Sequence, residues 1–160
     1  MSEFPLPNVS TDLNGQVAFV TGTTSGLGKR FAKVLAACGA KVVATGRRVD
    51  RLEALAEEIR ADGGICEPIA IDMTSRGSIR AAFIEAEARL GTVQILINNA
   101  GMHLRKIAIE TTDEEWKNVI DTNLNSVFSL SRECAKKMIR ASRENQQNRY
   151  CDAIRLNPPR

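Results

Sequence analysis

The residue types and spacings that suggest chemistry lie in a glycine-rich turn, Thr21-Gly22-Thr23-Thr24-Ser25-Gly26-Leu27-Gly28. An apolar run at residues 17–20 precedes this turn, and a helix-like stretch at residues 29–38 follows it. Glycines let a backbone approach a diphosphate closely, and a helix N-terminus offers unpaired N–H groups and a positive dipole end. Thr24 and Ser25 add hydroxyl donors. A glycine motif alone is weak evidence, but the order strand, turn, helix favours a dinucleotide site over an ordinary turn.

The elements that must position this turn alternate between strand and helix patterns. Short apolar runs at residues 17–20, 41–45, 65–71 and 93–97 predict strands buried on both faces of a parallel sheet. Strict alternation predicts the α/β class, with a Rossmann-like, doubly wound parallel sheet of about four strands in the order 3-2-1-4. The amphipathic helices predicted between the strands have apolar faces formed by Phe31, Val34, Leu35 and Cys38; by Leu52, Leu55, Ala56 and Ile59; and by Ile79, Ala82, Phe83 and Ala86.

Length and composition are typical of one globular domain. The chain has 160 residues, of which 43% are hydrophobic and 26% are charged. It has no apolar run long enough to span a membrane, and residues 1–10 lack the apolar core of a signal peptide, so we expect a cytoplasmic protein. The four cysteines are scattered, without metal-ligand spacing. The net charge of +3 comes from dispersed arginines in residues 140–160, which favours neither a nucleic-acid nor a membrane partner.

A longer helix is predicted after the fourth strand. Thr112 and Glu115 have the spacing of a capping box at its start. Its predicted apolar face also carries Asn123, and a buried amide is costly unless its hydrogen bonds are satisfied. From the residues alone, Asn123 is a residue that bends the helix, an amide bonded within the core, or a group that shapes a site. The apolar face consists of Trp116, Val119, Ile120, Leu124, Val127 and Phe128, and it continues towards Met138.

Four motifs occur in one order along the chain, each on the expected element. They are the TGxxxGxG pattern of residues 21–28, Asp72 after the third strand, Asn98-Asn99-Ala100-Gly101 after the fourth, and Asp121-Thr122-Asn123-Leu124 in the longer helix. Together they resemble the short-chain dehydrogenase/reductase family. The resemblance covers residues 12–142, and it implies the cofactor-binding portion of such an enzyme with an incomplete sheet.

The resemblance implies an oxidoreductase that transfers a hydride between a nicotinamide cofactor and a carbonyl/alcohol pair. It places a catalytic-site role on Asn123, puts Asp72 on the adenine amino group, and sets the Met73 backbone beside the ring. It also implies that the longer helix takes part in a homo-oligomer. The cofactor-binding residues that we predict are Gly22, Thr24, Ser25, Gly26, Leu27, Gly28, Arg47, Asp72, Met73, Asn99, Ala100 and Gly101.

The end of the second strand bears on the choice of cofactor. Enzymes that use NAD place an acid there to accept from the ribose 2′-OH, but this chain has Arg47 and Arg48 and no acid before Asp50. A guanidinium can pair with the 2′-phosphate of NADP through charge-assisted bonds. We therefore predict NADP rather than NAD, with Arg47 as the first candidate and Arg48 as the second. The alternative is that both arginines are solvated loop residues.

The proton-transfer groups of the family are missing from this sequence. Relatives use a Tyr with a Lys four residues later, and a Ser that positions the substrate oxygen. The only Tyr here is Tyr150, and Ile154 stands four residues after it, so we assign Tyr150 no catalytic role. The resemblance makes the chain an oxidoreductase by family, but without these groups we expect it to be inactive. The alternatives are a non-catalytic NADP-binding or partner-binding module, or a poorly folded truncated product.

The last residues do not match the apolar fifth strand of relatives. We therefore divide the chain into a Rossmann portion at residues 1–149 and an irregular, non-family tail at residues 150–160. A frameshift, altered splicing or an erroneous gene model near Arg149 would explain the change, and translation of the other two reading frames tests this. Without a fifth strand, the fourth strand is expected to have an unpaired edge.

Overall fold

A parallel four-stranded sheet lies at the centre of the molecule. The computed structural model describes the backbone of residues 11–156 and the side chains of residues 11–144. The strands are β1 (Val17–Thr21), β2 (Lys41–Gly46), β3 (Ile65–Ala70) and β4 (Val93–Ile97). They pair in the order β3-β2-β1-β4, and every pair is parallel. The predicted fold class and strand order are therefore confirmed.

Helices follow the strands. They are α1 (Gly26–Ala37), α2 (Val49–Ala61), α3 (Arg76–Leu90), α4 (Asp113–Ile120) and α5 (Ser126–Leu156). A 3-10 turn at Ala108–Glu110 precedes α4, and a π-helical segment at Asp121–Asn125 joins α4 to α5. The predicted capping box is present at α4, where Thr112 and Glu115 each accept from the other's backbone N–H.

The core has one apolar layer on each face of the sheet. Phe19 and Val43 pack with residues of α3 and α5 on one face, and the Phe19 and Phe83 rings lie 5.7 Å apart. Val20 and Val42 pack with α1 and α2 on the other face. The strands are apolar along their length because both faces are covered. The predicted buried residues of α2 (Leu52, Leu55, Ala56 and Ile59) and of α3 (Ile79, Ala82, Phe83 and Ala86) are all buried.

The predicted apolar face of α1 is confirmed only in part: Leu35 packs against the core, but other large residues of that face do not. Its buried residues are Gly28, Ala32 and Ala36, whereas Phe31 and Val34 are 39% and 44% exposed. Small residues at i, i+4 and i+8 let α1 lie close to the sheet, which leaves its larger side chains on the flank.

The predicted apolar face of the longer helix is also confirmed only in part. Trp116, Leu124 and Phe128 are 60%, 61% and 63% exposed, whereas Met138 packs against the core. The fully buried side chains of this region are Thr122, Ser126, Ser129, Leu130 and Cys134. A π-helical turn inserts a residue and rotates the following helix, so a face drawn at the α-helical spacing does not continue through Asp121–Asn125.

β4 forms one edge of the sheet, as expected. It pairs with β1, and no strand of the described residues pairs with its other side. Ile95, Leu96 and Ile97 are half-buried, unlike the fully buried residues of β1. The pairing shifts register at the start of β4, where the Val17 N–H donates to Gln94 Oε1 at 2.6 Å.

α5 continues further than the sequence predicts. The helix includes residues 150–156, which we expected to be irregular. Residues 126–157 contain neither Gly nor Pro, so nothing in their composition breaks the helix before Pro158. The rest of the predicted tail, residues 157–160, and the Tyr150 side chain lie outside what the structure describes.

Within residues 11–156, no helix is long and apolar enough to cross a membrane. The same part of the chain contains no cluster of three or more His, Cys, Asp or Glu side chains suited to a metal ion.

Candidate functional site

A cleft of about 730 Å³ opens at the carboxyl ends of the strands. Ligands bind at this position in open parallel α/β sheets, where the strand order reverses on either side of the first strand. Nine predicted cofactor residues line the cleft: Gly22, Thr24, Ser25, Arg47, Asp72, Met73, Asn99, Ala100 and Gly101. Sequence reasoning did not place Gly46, Ile71, Thr74, Met102, Asn118 or Thr122 there, and it gave Arg48 only as a second candidate.

The glycine turn is packed too closely for side chains. A Cβ at Gly28 would lie 2.2 Å from the Gly22 carbonyl oxygen and 2.4 Å from Asn99 Nδ2. Gly22 has a φ of 71°, and a Cβ there would lie 2.8 Å from Ala100 Cα. The glycines thus bring α1, the turn and the end of β4 into contact, which places the backbone of the turn beside the cleft.

The N-terminus of α1 retains its capacity to bind an anion. Ser25 occupies the N-cap position, but its side chain makes no capping hydrogen bond, and the first turn contains no acidic residue. By contrast, the first turn of α4 contains three acids. The open N–H groups and the dipole of α1 therefore remain available to a phosphate. Of the predicted residues here, Gly26, Leu27 and Gly28 do not line the cleft, and Leu27 is 69% exposed.

A hydrogen-bonded seam joins the ends of β1 and β4. The buried Thr21 Oγ1 accepts from the N–H groups of Asn99 and Ala100 at 3.0 and 2.9 Å. Asn99 Nδ2 donates in return to the carbonyl oxygens of Thr21 and Gly22 at 2.9 and 3.2 Å. Thr21 and Asn99 therefore set the relative position of the glycine turn and the Asn98–Gly101 segment. The role of Thr21 could not be predicted from the sequence, because its partners lie more than 70 residues away along the chain.

Asp72 is held as a carboxylate at the end of β3. Its Oδ1 accepts from the Thr74 N–H at 2.9 Å and from the Thr74 hydroxyl at 2.8 Å. These two bonds, with a smaller contribution from the charge of Arg47, lower the pKa of Asp72. Because both bonds go to Oδ1, the other oxygen can accept a hydrogen bond from a ligand in the cleft.

Arg48 is fixed across the mouth of the cleft. Its Nη2 donates to Thr24 Oγ1 at 2.6 Å, which links the start of α2 to the glycine turn. Gly46 makes room for Thr24, since a Cβ there would lie 2.8 Å from Thr24 Cγ2. Arg47 also lines the cleft and is exposed. Two guanidinium groups therefore border the same end of the cavity.

Asn123 hydrogen-bonds the backbone of the segment that follows Gly101. Its Oδ1 accepts from the Met102 N–H at 2.9 Å, and its Nδ2 donates to the Met102 carbonyl at 2.8 Å. Asn123 belongs to the π-helical segment, it is exposed, and it does not line the cleft. The structure thus gives this amide backbone partners rather than the core partners that the sequence left open.

Comparison with known proteins decides the family. The model of the family described as short chain dehydrogenase matches residues 16–146. The chain belongs to the short-chain dehydrogenase family. The 3-oxoacyl-(acyl-carrier-protein) reductase FabG of Escherichia coli is 35% identical over 129 residues, which cover 81% of this chain and 52% of that protein. Nodulation protein G of a Rhizobium species is 38% identical over 129 residues, or 81% of this chain and 51% of that protein.

Solved structures of the family have the same fold. A short-chain type dehydrogenase/reductase from Mycobacterium marinum superposes with a TM-score of 0.79 at 32% identity, over 82% of this chain and 53% of that one. A metagenomic short-chain oxidoreductase in complex with NADP gives a TM-score of 0.77 at 37% identity, over 82% and 60%. The chain therefore spans about half the length of the relatives that it matches.

Proposed function

We propose that this chain is the cofactor-binding portion of an NADP-dependent oxidoreductase that acts on a carbonyl/alcohol pair. The observation that carries the proposal is the cleft at the strand ends, which combines an uncapped helix N-terminus, a fixed carboxylate and two arginines. These groups match a dinucleotide in order: the diphosphate at α1, the adenine at Asp72 and Met73, and the ribose 2′-phosphate at the arginines. The cytoplasm is the expected compartment for such an enzyme.

The preference for NADP rests on charge. No acidic residue lies at the end of β2, so nothing there favours the ribose 2′-OH of NAD. Arg47 and Arg48 would each contribute charge-assisted bonds to a phosphate. Because Thr24 holds Arg48 at the cleft, Arg48 and Arg47 are equal candidates for contact with the 2′-phosphate. The NADP bound to a metagenomic relative is consistent with this choice.

The chain as it stands is proposed to bind the cofactor without turning over a carbonyl. When bound, NADP supplies the hydride chemistry. The residues of this chain bind and orient it, and Asn123 positions the segment after Gly101 through Met102. No Tyr-x-x-x-Lys occurs anywhere in the sequence, so the proton that must accompany hydride transfer has no donor of the family type.

Titration of the 160-residue chain with NADPH tests the proposal, with nicotinamide fluorescence as the readout. Saturable binding, tighter than binding of NADH, is the expected result. Addition of a panel of aldehydes and ketones should then leave NADPH unoxidised. Absence of saturable binding would overturn the cofactor assignment, and oxidation at rates typical of an enzyme would overturn the claim that proton transfer is missing.

A second candidate function is a partner-binding module. The open edge of β4 and the exposed Trp116, Leu124 and Phe128 favour it, because an uncovered strand edge and apolar side chains are typical of an interface. NADPH binding separates the two candidates: a module that binds only a partner would bind neither nicotinamide cofactor.

A further inference from the structure

A groove of about 340 Å³ separates α3 from α5 on the face of the sheet opposite α1 and α2. It shares no lining residue with the cofactor cleft. Neither the family assignment nor the proposed oxidoreductase function uses this groove. Its residues form an apolar floor with charged groups above it, and the charges are distributed unevenly along its length.

The floor is apolar and preformed. Ile79 and Phe83 are each 3% exposed and belong to the core layer between the sheet and the two helices. Ile84 stands beside them with 54% of its surface exposed. Because Ile79 and Phe83 are already packed, they expose little surface, and Ile84 supplies most of the apolar area that a hydrocarbon chain could cover here.

Two arginines stand unpaired at one end of the groove. Arg76 and Arg80 lie one turn apart on α3, both are exposed, and neither forms a salt bridge with a described residue. Arg76 is close enough to Asp121 to help lower the pKa of that carboxyl, but Lys117 and Asn125 already hydrogen-bond it. The two guanidinium groups therefore keep their donors free for an external oxyanion.

The cations further along the groove have acidic partners. Lys137 pairs with Glu87 at 2.8 Å, and this ion pair ties α5 to α3 at the far end. Arg132 lies 3.5 Å from the Glu133 carboxylate and 5.2 Å from the centre of the Phe128 ring. Glu133 also pairs with Lys136 at 3.1 Å. The groove thus has two arginines without a salt-bridge partner among the described residues at the Arg76 end, whereas the cations towards the Lys137 end have acidic partners.

We propose that this groove binds an amphiphilic oxyanion, a carboxylate or phosphate head on a short hydrocarbon chain. The head would pair with Arg76 and Arg80, and the chain would lie along Ile79, Phe83 and Ile84. Eight residues separate Arg76 from Ile84, a distance of about 12 Å along a helix, which suits a chain of medium length. The ligand and its site are independent of the cofactor.

Calorimetric titration with octanoate and with octyl phosphate, both below their micelle concentrations, tests the proposal. We expect one site per chain. The Arg76→Gln/Arg80→Gln double variant should bind the preferred ligand about tenfold or more weakly, since charge-assisted hydrogen bonds are lost. The matched control is Arg30→Gln/Arg143→Gln, which removes two exposed arginines that line neither cavity and should leave affinity unchanged. The two ligands together show whether the head is a carboxylate or a phosphate.

The hydrocarbon contribution is tested separately. Butanoate and 1-octanol should each bind more weakly than octanoate, because one lacks the chain and the other lacks the charge. Ile84→Glu, a change at an exposed position, should weaken octanoate binding while the circular dichroism spectrum stays unchanged. Equal affinity of the wild-type chain and the double-arginine variant, or competition between octanoate and NADPH, would overturn the proposal. Failure of both amphiphiles to bind the folded wild-type chain would do the same.

Discussion

Thr21 shows how much of the site depends on one hydroxyl group. Its Oγ1 accepts from two backbone N–H groups of the Asn98–Gly101 segment, and the side chain is 1% exposed. Valine has nearly the same shape but cannot accept, so both N–H groups would be buried without a partner. Leaving buried donors unsatisfied costs more than the net gain from an ordinary hydrogen bond.

Thr21→Val is expected to lower the free energy of unfolding by about 1–3 kcal/mol. Urea denaturation monitored by circular dichroism measures the change. The exposed Thr11 supplies the matched control, because Thr11→Val makes the same chemical change where no buried group depends on it. Equal effects of the two substitutions would mean that the seam contributes nothing to stability.

The arginines at the end of β2 are expected to discriminate between cofactors. Arg47→Gln and Arg48→Gln should each weaken NADPH binding by about tenfold to a hundredfold and should change NADH binding much less. Arg51→Gln, an exposed arginine of α2 outside the cleft, serves as the control. Fluorescence titration with both cofactors gives the two affinities. An equal loss of affinity for NADH and NADPH would mean that these arginines do not contact the 2′-phosphate.

The lowered pKa of Asp72 has a defined pH consequence. The hydrogen bonds from Thr74 favour the carboxylate in the folded chain, relative to the ordinary pKa of 3.8. Their contribution to stability is therefore present above that value and is lost as the pH falls through the lower folded pKa. Thr74→Val removes only the hydroxyl bond and keeps the backbone N–H, so it should raise the pKa of Asp72 part of the way towards its ordinary value, as measured by carboxyl NMR titration, with Thr11→Val again as the control. An unchanged titration curve would mean that the hydroxyl contributes nothing to the shift.

At the scale of elements, the π-helical segment between α4 and α5 connects these two helices to the cleft. Asn123 reaches the Met102 backbone with both ends of its amide, and Asn125 and Lys117 bind Asp121 in the same segment. π-Helical turns are often found at functional sites. Here the turn directs one amide towards the segment after β4, while the α-helical turns on either side keep their own hydrogen bonds.

Two substitutions separate the two ends of this amide. Asn123→Asp keeps an acceptor for the Met102 N–H, whereas Asn123→Leu removes it. Hydrogen exchange of the Met102 amide should therefore remain slow in the first variant and become markedly faster in the second. Fast exchange in both variants would mean that the Nδ2 donor, rather than the Oδ1 acceptor, holds the segment.

Helix periodicity predicted some elements better than others. The apolar faces of α2 and α3 were read correctly, because large aliphatic residues cover the sheet there. In α1 the larger residues were misleading, although Gly28, Ala32 and Ala36 follow an equally regular spacing that could have indicated close packing. The apolar face of α4 and α5 is predicted only in part, because the π-helical insertion has no simple sequence signature.

At the scale of the whole molecule, the strand ends and their motifs could be predicted, since glycines, Asp72 and Asn99 are read directly from the sequence. The contacts that organise them could not. The bond between Thr24 and Arg48 and the seam of Thr21 join residues that are distant along the chain. The sequence also predicted an unpaired edge at β4, because a fifth strand was missing from the pattern, and the described residues leave that edge open.

The exposed apolar side chains of α4, α5 and the π-helical segment between them are expected to promote self-association of the 160-residue chain. Leu124→Gln/Phe128→Gln should reduce concentration-dependent association in sedimentation velocity, because both side chains are mostly exposed. The free energy of unfolding should change by less than about 0.5 kcal/mol per site, as is usual on a surface. Ile109→Gln, at a 92% exposed residue outside these helices, is the control, and equal effects would argue against a localised surface.

The seam between β1 and β4 is expected to couple binding in the cleft to pairing at the open edge of the sheet. Asn99 donates a hydrogen bond to the Gly22 carbonyl, and it is the second residue after the edge strand. A dinucleotide that fixes the glycine turn would therefore also reduce the motion of β4. Linkage is reciprocal, so a segment that pairs with β4 should tighten cofactor binding by the same factor by which the cofactor tightens that pairing.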